Sequence, residues 1–172
     1  HRDVKPANIL LDEQGRPVVA DFGLALRDVD FGTGPQLAGT PAYMSPEQAT
    51  AASPVDGRSD VYSLGCVLYE MLAGRMAFTG PSLKSVLTQQ LTTDPPLLHI
   101  TRPDVPQDVV AVVRRCLMKQ PEDRYQSAGE LAEALNLPTE GGFLIYEVQP
   151  DSAAAAAGLR GASRSVYIGN NE

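Results

Sequence analysis

The chain has 172 residues, which is enough for one domain or for one domain with part of another. Apolar residues make up 43% of the sequence, so a buried core is expected and general disorder is not. The net charge of −7 argues against nucleic acid or an anionic membrane surface as the main partner. No apolar run reaches the roughly 18 residues that a membrane span requires. The two cysteines, Cys66 and Cys116, lie in apolar helix-like stretches, which favours buried reduced thiols over a disulfide.

The first predicted element is a β-hairpin over residues 9–20. Two short apolar runs, at 9–11 and 17–20, flank a polar loop that contains Gly15. Because a hairpin returns the chain to its starting edge, Asn8 and Asp21 are expected at the same open end. Residues 24–58 show little periodicity and many turn-forming residues, which is typical of a long functional segment.

Helical periodicity dominates the rest of the chain. Apolar positions predict a buried central helix over residues 59–73, with Ser59 as its N-cap and Gly74 as its stop. Further helices are predicted over residues 81–91 and 107–119, and from a capping box at Ser127–Glu130 to a stop at Pro138. The composition changes near residue 138, where we place a module boundary.

Four side chains that could bind a metal ion or take part in phosphoryl transfer are expected at the open end of the hairpin: Asp3, Lys5, Asn8 and Asp21. Carboxylate and amide oxygens suit Mg²⁺, which commonly takes one or two carboxylates and completes its shell with substrate phosphates and water. A remaining carboxylate can accept a proton from a hydroxyl group, and a lysine can neutralise a transferring phosphoryl group.

The ordered motifs HRDVKPAN and DFG resemble the catalytic and magnesium loops of eukaryotic-like (Hanks-type) protein kinases. The resemblance implies that Asp3 accepts the proton of the substrate hydroxyl and that Lys5 contacts the γ-phosphate. It also implies magnesium ligands at Asn8 and Asp21. Other positions similar to family residues are Leu10, which would pack under the adenine ring, and His1 and Phe22, which would belong to a structural hydrophobic spine.

The stretch GTPAYMSPE, residues 39–47, resembles the end of an activation segment, with Ser-Pro-Glu where the family usually has Ala-Pro-Glu. Lys5 and the Gly-Thr pair at 39–40 imply serine/threonine specificity, with Thr40 contacting Asp3 and Lys5. Arg2 implies control by phosphorylation, for which Thr33 is the candidate because it is the only hydroxyl residue between Asp21 and Thr40. Thr33 is equally well interpreted as an ordinary loop threonine.

Three further residues resemble structural positions of the family. Asp60 is similar to the buried aspartate that holds the catalytic-loop backbone. Arg124 is similar to the arginine that pairs with Glu47, a contact that matters because a buried carboxylate is costly unless it is paired.

Residues 142–161 resemble part of a PDZ domain of the HtrA type: a strand, Pro-x-Ser, a short alanine-rich helix and Ala-Gly-Leu. A plain C-terminal extension with one strand and one helix is the alternative. Whole PDZ domains capture peptide termini by strand addition, so a peptide ligand of the complete domain is implied.

The sequence therefore predicts an α+β fold that is mainly helical. Residues 1–137 would form the C-terminal lobe of a bacterial serine/threonine protein kinase, and residues 138–172 would begin a PDZ-like domain. The resemblance implies ATP and Mg²⁺ as cofactors, protein substrates with Ser or Thr hydroxyls, and a cytoplasmic location; neither a nucleic-acid partner nor a membrane segment is expected in this chain.

The Gly-rich loop, the strand lysine and the helix glutamate of the family are not among the 172 residues. We expect them upstream of His1, since the chain starts without Met, and we expect the chain alone to be inactive. The alternatives are a pseudokinase scaffold that binds peptides through the PDZ part, which the intact Asp3, Lys5, Asn8 and Asp21 argue against, and a protease-associated regulator.

Overall fold

The structure, a computed structural model, describes residues 1–13, 17–21, 40–50 and 55–137. Over these ranges the chain is mostly helical, with one antiparallel two-stranded sheet. This agrees with the predicted mainly helical α+β class. The strands are β1 (Ile9–Leu11) and β2 (Pro17–Val19), and the α-helices are α1 (Pro46–Thr50), α2 (Gly57–Ala73), α3 (Leu83–Thr92), α4 (Leu98–Thr101), α5 (Gln107–Cys116) and α6 (Ala128–Ala134). The predicted PDZ-like segment, Phe22 and Thr33 lie outside the described residues.

The predicted hairpin is confirmed, and its register is Ile9 opposite Val19 and Leu10 opposite Val18. The backbone N–H of Ala20 donates to the Asn8 carbonyl at 2.7 Å, which closes the open end of the hairpin. Ile9 packs against the main hydrophobic core. The hairpin thus joins the residues on either side of it to the body of the domain.

Helix α2 is the centre of the fold. Its buried side chains pack against α4, α5 and α6 through residues that include Leu98, Val112, Val113, Cys116 and Leu131. A Cβ atom at Gly65 would lie 2.6 Å from the Cβ of Cys116, so glycine permits the close approach of α2 and α5. Helix α2 ends at Gly74, whose φ of 69° is left-handed. The burial predicted from its apolar residues is confirmed for most of the helix, but Met71, which belongs to the same apolar set, is 73% exposed.

Several predicted helix ends are wrong, and those of α2 and α5 have a clear structural reason. Helix α2 begins before Ser59, because the side chain of Asp56 caps it by accepting from the N–H of Arg58 at 2.9 Å. Helix α5 ends at Cys116 instead of residue 119. The carbonyls of Met118 and Lys119 accept from Arg124 at 2.8 Å each, which draws this stretch away from helical geometry.

The capping box predicted at Ser127 is only half formed. The Ser127 hydroxyl accepts from the N–H of Glu130 at 3.1 Å, but the Glu130 carboxylate accepts from the N–H of Gln126 instead of that of Ser127. A complete capping box is found at α3, where Ser82 and Ser85 exchange backbone-to-side-chain bonds of 3.2 Å. Helix α3 therefore begins at Leu83, two residues later than predicted.

Helices α1 and α4 were not predicted, because each is too short to show a periodic pattern. Cys66 and Cys116 are buried free thiols, as predicted. Burial raises the pKa of each of these thiols to about 12, so both are neutral at physiological pH. Among the described residues, no helix combines the length and the apolar character that crossing a membrane requires.

Candidate active site

The carboxylate of Asp3 is the centre of a compact polar cluster. Oδ2 of Asp3 accepts from Nζ of Lys5 at 2.6 Å and from Nδ2 of Asn8 at 3.0 Å. Asn8 also donates to the main-chain carbonyl of Asp3 at 2.9 Å. A 3₁₀ turn at Pro6–Asn8 brings the three side chains together, and Pro6 suits its first position because proline lacks an N–H group.

His1 ties this cluster to the end of the hairpin. Its Nδ1 accepts from the N–H of Asp3 at 3.2 Å, and its Nε2 lies 2.9 Å from the carbonyl of Ala20. A ring that accepts at Nδ1 carries its proton at Nε2, so Nε2 donates to Ala20. Asp21 follows immediately, exposed and with a left-handed φ of 64°. The His1 ring therefore links the main chain of Asp3 to that of Ala20, the residue that precedes Asp21.

The main chain of Arg2 is held from both sides. Its φ is 71°, a left-handed conformation that is costly for a residue with a Cβ atom. Its N–H donates to Oδ1 of Asp60 at 2.8 Å, and its carbonyl accepts from Nε2 of Gln48 at 2.7 Å. Oδ2 of Asp60 also accepts from the main-chain nitrogen of His1 at 2.9 Å. Asp60 thus binds the loop as expected, although its side chain is 29% exposed and not fully buried.

Thr40 reaches the same cleft as Asp3. Both line a narrow space whose other walls are Arg2, Val4, Tyr43, Met44 and Ser63. Within the described ranges, however, no hydrogen bond joins the Thr40 hydroxyl to Asp3 or to Lys5. The structure places Thr40 beside the cluster without the direct contact that the resemblance implies.

The segment after Thr40 is anchored by a buried ion pair. Arg124 donates to Oε1 and Oε2 of Glu47 at 2.7 and 2.9 Å, and the two residues are 0% and 5% exposed. Ser59 donates a third bond to Glu47, at 2.6 Å. Burial alone would raise the pKa of Glu47, but the hydrogen bonds from Arg124 and Ser59 together outweigh it and lower that pKa. Glu47 is therefore ionised, and the predicted contact is present.

Residues 40–42 also form one wall of an open apolar groove of about 510 Å³. The opposite wall is Met76, residues 78–83 and Val86, at the start of α3. The neighbouring Tyr43 is fixed to α2, since its carbonyl accepts from Ser63 at 2.8 Å and its hydroxyl donates to Glu70 at 2.6 Å. The groove and the Asp3 cleft thus share the wall that begins at Thr40.

The side-chain oxygens of Asn8 and Asp21 suit Mg²⁺, which can complete its shell with phosphate and water oxygens, better than they suit a metal that needs all its ligands from the protein. Among the residues that the structure describes, no group of three or more His, Cys, Asp or Glu is arranged to hold a metal. Asn8 directs its N–H₂ group at Asp3, which leaves its Oδ1 for a cation. Asp21 adds a carboxylate at the same end of the hairpin, and Mg²⁺ often takes so few protein ligands beside phosphate oxygens.

Leu10, the candidate contact for the adenine ring, is half-buried on β1, on the strand face opposite Ile9.

The sequence matches a known protein family. Residues 1–136 match the sequence profile of the protein kinase domain. The chain belongs to the protein kinase family. The serine/threonine-protein kinase PknB of Mycobacterium tuberculosis strain H37Rv is 47% identical over 135 residues, which are 76% of this chain and 21% of that protein.

Two further relatives match nearly the whole chain. PknB of Mycobacterium leprae is 48% identical over 171 residues, which are 98% of this chain and 26% of the relative. A probable serine/threonine-protein kinase of Streptomyces coelicolor is 40% identical over 166 residues, which are 94% of this chain and 24% of the relative. The chain thus spans about a fifth to a quarter of the kinases that it resembles.

Proposed function

We propose that this chain carries the catalytic loop, the magnesium-binding residues and part of the substrate site of a serine/threonine protein kinase. The reaction would transfer the γ-phosphate of ATP to Ser or Thr hydroxyls of proteins. The observation that carries the proposal is the Asp3 carboxylate, which accepts hydrogen bonds from both Lys5 and Asn8 at the open end of the hairpin. The serine/threonine kinases among its relatives support the choice of substrate class.

Asp3 is the proposed proton acceptor. Asp3 and Thr40 line the same narrow space, so a substrate hydroxyl presented at its rim would lie near both residues. Lys5 would exchange its bond with Asp3 for one with the γ-phosphate, where its charge opposes the negative charge of the phosphoryl group. Thr40 would support the substrate backbone or hydroxyl from the opposite wall. Asp3 would thus accept the proton, and Lys5 would neutralise charge on the phosphoryl group.

Asn8 and Asp21 are the proposed magnesium ligands. A bound Mg²⁺ would neutralise the phosphates of ATP and fix their orientation. The chain's own contribution is to hold Asn8 through Asp3 and to place Asp21 at the end of β2, next to the Ala20 carbonyl that His1 binds. Leu10 would contact the adenine ring. Because this chemistry uses ATP, the catalytic part would work in the cytoplasm.

Thr33 is the proposed phosphorylation site of the segment between Asp21 and Thr40. A phosphate there would pair with Arg2, whose backbone is already fixed by Asp60 and Gln48. Phosphopeptide mapping of active protein would detect the modification. Active protein without phosphate on Thr33 would contradict it.

The decisive test is phosphate transfer from radiolabelled MgATP to a generic protein substrate. We expect no transfer by the 172 residues alone, which lack the Gly-rich loop and strand lysine of the family. We expect transfer by the full-length gene product, with whatever sequence its gene adds. Asp3→Asn in that product should lower kcat by roughly 10²–10⁴-fold, the contribution typical of a positioned acid or base.

Asp94→Asn is the matched control, since Asp94 is an exposed aspartate between α3 and α4. Equal activity of wild type and Asp3→Asn would refute the assigned role. An inactive wild-type product that binds a peptide ligand would favour the scaffold alternative.

A further inference from the structure

Gln90 is a fully buried polar side chain in the last turn of α3. Its Nε2 donates to two successive main-chain carbonyls, those of Pro41 at 3.1 Å and Ala42 at 2.8 Å. Its Oε1 accepts from the hydroxyl of Tyr62 in α2 at 2.6 Å. A buried amide that finds partners for both ends is costly to replace, because any replacement leaves buried polar groups unsatisfied.

These bonds hold the carbonyls of a short 3₁₀ turn, whose Ala42 side chain also packs against the main core. Tyr43 is held to α2 by Ser63, which binds its carbonyl. The carbonyls of Pro41 and Ala42 face α3 instead, and proline has no N–H with which to bind elsewhere. The 3₁₀ turn at Pro41–Tyr43 is therefore clamped between two helices, with Gln90 as the donor from α3.

Tyr62 fixes which way the amide of Gln90 points. The Tyr62 hydroxyl can donate only one proton, and Nζ of Lys119 donates to the same oxygen at 3.3 Å. The hydroxyl proton is thereby directed at Oε1 of Gln90, which turns the N–H₂ group toward Pro41 and Ala42. Burial raises the pKa of Tyr62 well above its ordinary value, so the hydroxyl keeps that proton.

The clamped turn lies between the two parts of the proposed substrate site. Thr40, immediately before it, lines the cleft with Asp3, and Pro41 and Ala42 form a wall of the apolar groove. No described hydrogen bond from Thr40 to Asp3 or Lys5 fixes this wall from the catalytic side. Its placement therefore depends on the helices behind it.

We propose that Gln90 is a positioning residue for the protein substrate, acting through the carbonyls of Pro41 and Ala42 to set the wall formed by residues 40–42. It does not touch ATP or the reacting atoms, so its effect falls on binding of the protein substrate. The expected change in KM rests on the proposed kinase function. The expected effect on the position of residues 40–42 rests on the hydrogen bonds alone.

The main test replaces Gln90 in the full-length gene product with methionine, which preserves length, and with glutamate, which preserves the acceptor for Tyr62 but not the donor. Both variants should raise KM for the protein substrate roughly five- to tenfold, since about 1.4 kcal/mol of lost support corresponds to tenfold. KM for ATP should not change. Thr88→Val is the matched control, because Thr88 lies in the same helix, is exposed, and donates only to the Lys84 carbonyl within α3.

A second readout does not need activity. Hydrogen exchange at the amides of Tyr43 and Met44, which close the 3₁₀ turn on Thr40 and Pro41, should be faster in Gln90→Met than in Thr88→Val. An inactive wild-type product would refute the proposed function, and the exchange experiment would still decide the role of Gln90. If the Gln90 variants do not fold, Tyr62→Phe removes only the orienting hydroxyl and should shift both readouts in the same direction.

Three results would overturn the proposal. The first is unchanged exchange at Tyr43 and Met44 in folded Gln90→Met. The second is a wild-type KM for protein substrate in an active Gln90→Met or in Gln90→Glu, which would show that donation to the carbonyls is not what matters. The third is an equal rise of KM for ATP and for protein substrate, which would indicate general loosening of the fold.

Discussion

Replacing Arg124 with alanine should cost a large part of the stability of the domain. Arg124 is fully buried, and all five of its N–H groups are used. Two bind the carboxylate of Glu47, and the other three bind the main-chain carbonyls of Arg58, Met118 and Lys119 at 2.8–3.0 Å. Alanine removes all five of these bonds and leaves the Glu47 carboxylate with the Ser59 hydroxyl but no cation.

The magnitude follows from the buried charge. Removing one partner of a buried ion pair typically costs about 3–5 kcal/mol, because the remaining charge is left uncompensated. Domains are stabilised by only about 5–15 kcal/mol in total. A loss of about 4 kcal/mol in a chain of this size should lower the melting temperature by roughly 8–16 °C. The main-chain carbonyls that lose their bonds to Arg124 should lower the stability further.

Urea unfolding of wild type and variant measures this difference. Arg58→Ala is the matched control, since Arg58 also forms a close pair with a carboxylate, that of Asp56 at 2.7 Å, but on the exposed surface. Exposed pairs contribute little, so this control should lose far less stability. A loss in Arg124→Ala no larger than that in Arg58→Ala would refute the reasoning. In a Glu47→Gln background the cost of Arg124→Ala should shrink, because no carboxylate remains to be stranded.

Two further predictions concern stability. Because the pKa of Glu47 is lowered in the folded state, its ionised form contributes stability above its ordinary value of about 4.5, and this contribution is lost as the pH falls through the lowered value. The free energy of unfolding of wild type should therefore fall more steeply below about pH 4.5 than that of Glu47→Gln, and parallel curves would contradict the assignment. Gly65→Ala should lower the free energy of unfolding measured in urea. Overpacking against Cys116 costs about 1–3 kcal/mol, whereas the better helix propensity of alanine returns about 1 kcal/mol. A more stable variant would show that α2 and α5 can separate at no cost.

The centre of the fold was predictable because burial leaves a strong trace in sequence. Helix α2 is apolar over most of its circumference, and only a buried helix can be so. Its start was not predictable to the residue, because Asp56 and Ser59 are both good N-caps and only the tertiary structure shows that Ser59 serves Glu47 instead. The end of α5 was missed for a related reason, since Arg124 lies outside the periodic pattern that defined the helix.

The catalytic cluster was predictable because its members are close in sequence or joined by a hairpin. The side chains that hold it in place were not, since Gln48 and Gln90 act on segments 46 to 49 positions away. Gln90 nevertheless left a signal: it falls in the apolar stripe of α3 with Val86 and Leu91, where a polar residue must be paired. The pattern shows that such a residue needs a partner, but not where the partner lies.

The first turns of α2 explain how the separate parts of the site keep their relative positions. Asp60 binds the backbone of the loop that carries Asp3, Ser63 binds the carbonyl of Tyr43, and Tyr62 orients Gln90 toward the carbonyls that follow Thr40. These three residues lie within one turn of a buried helix, so the distances between their partners are set by helical geometry. The loop of Asp3 and the wall of Thr40 can therefore keep their relative positions through α2, although within the described ranges no hydrogen bond joins Thr40 to Asp3 or Lys5.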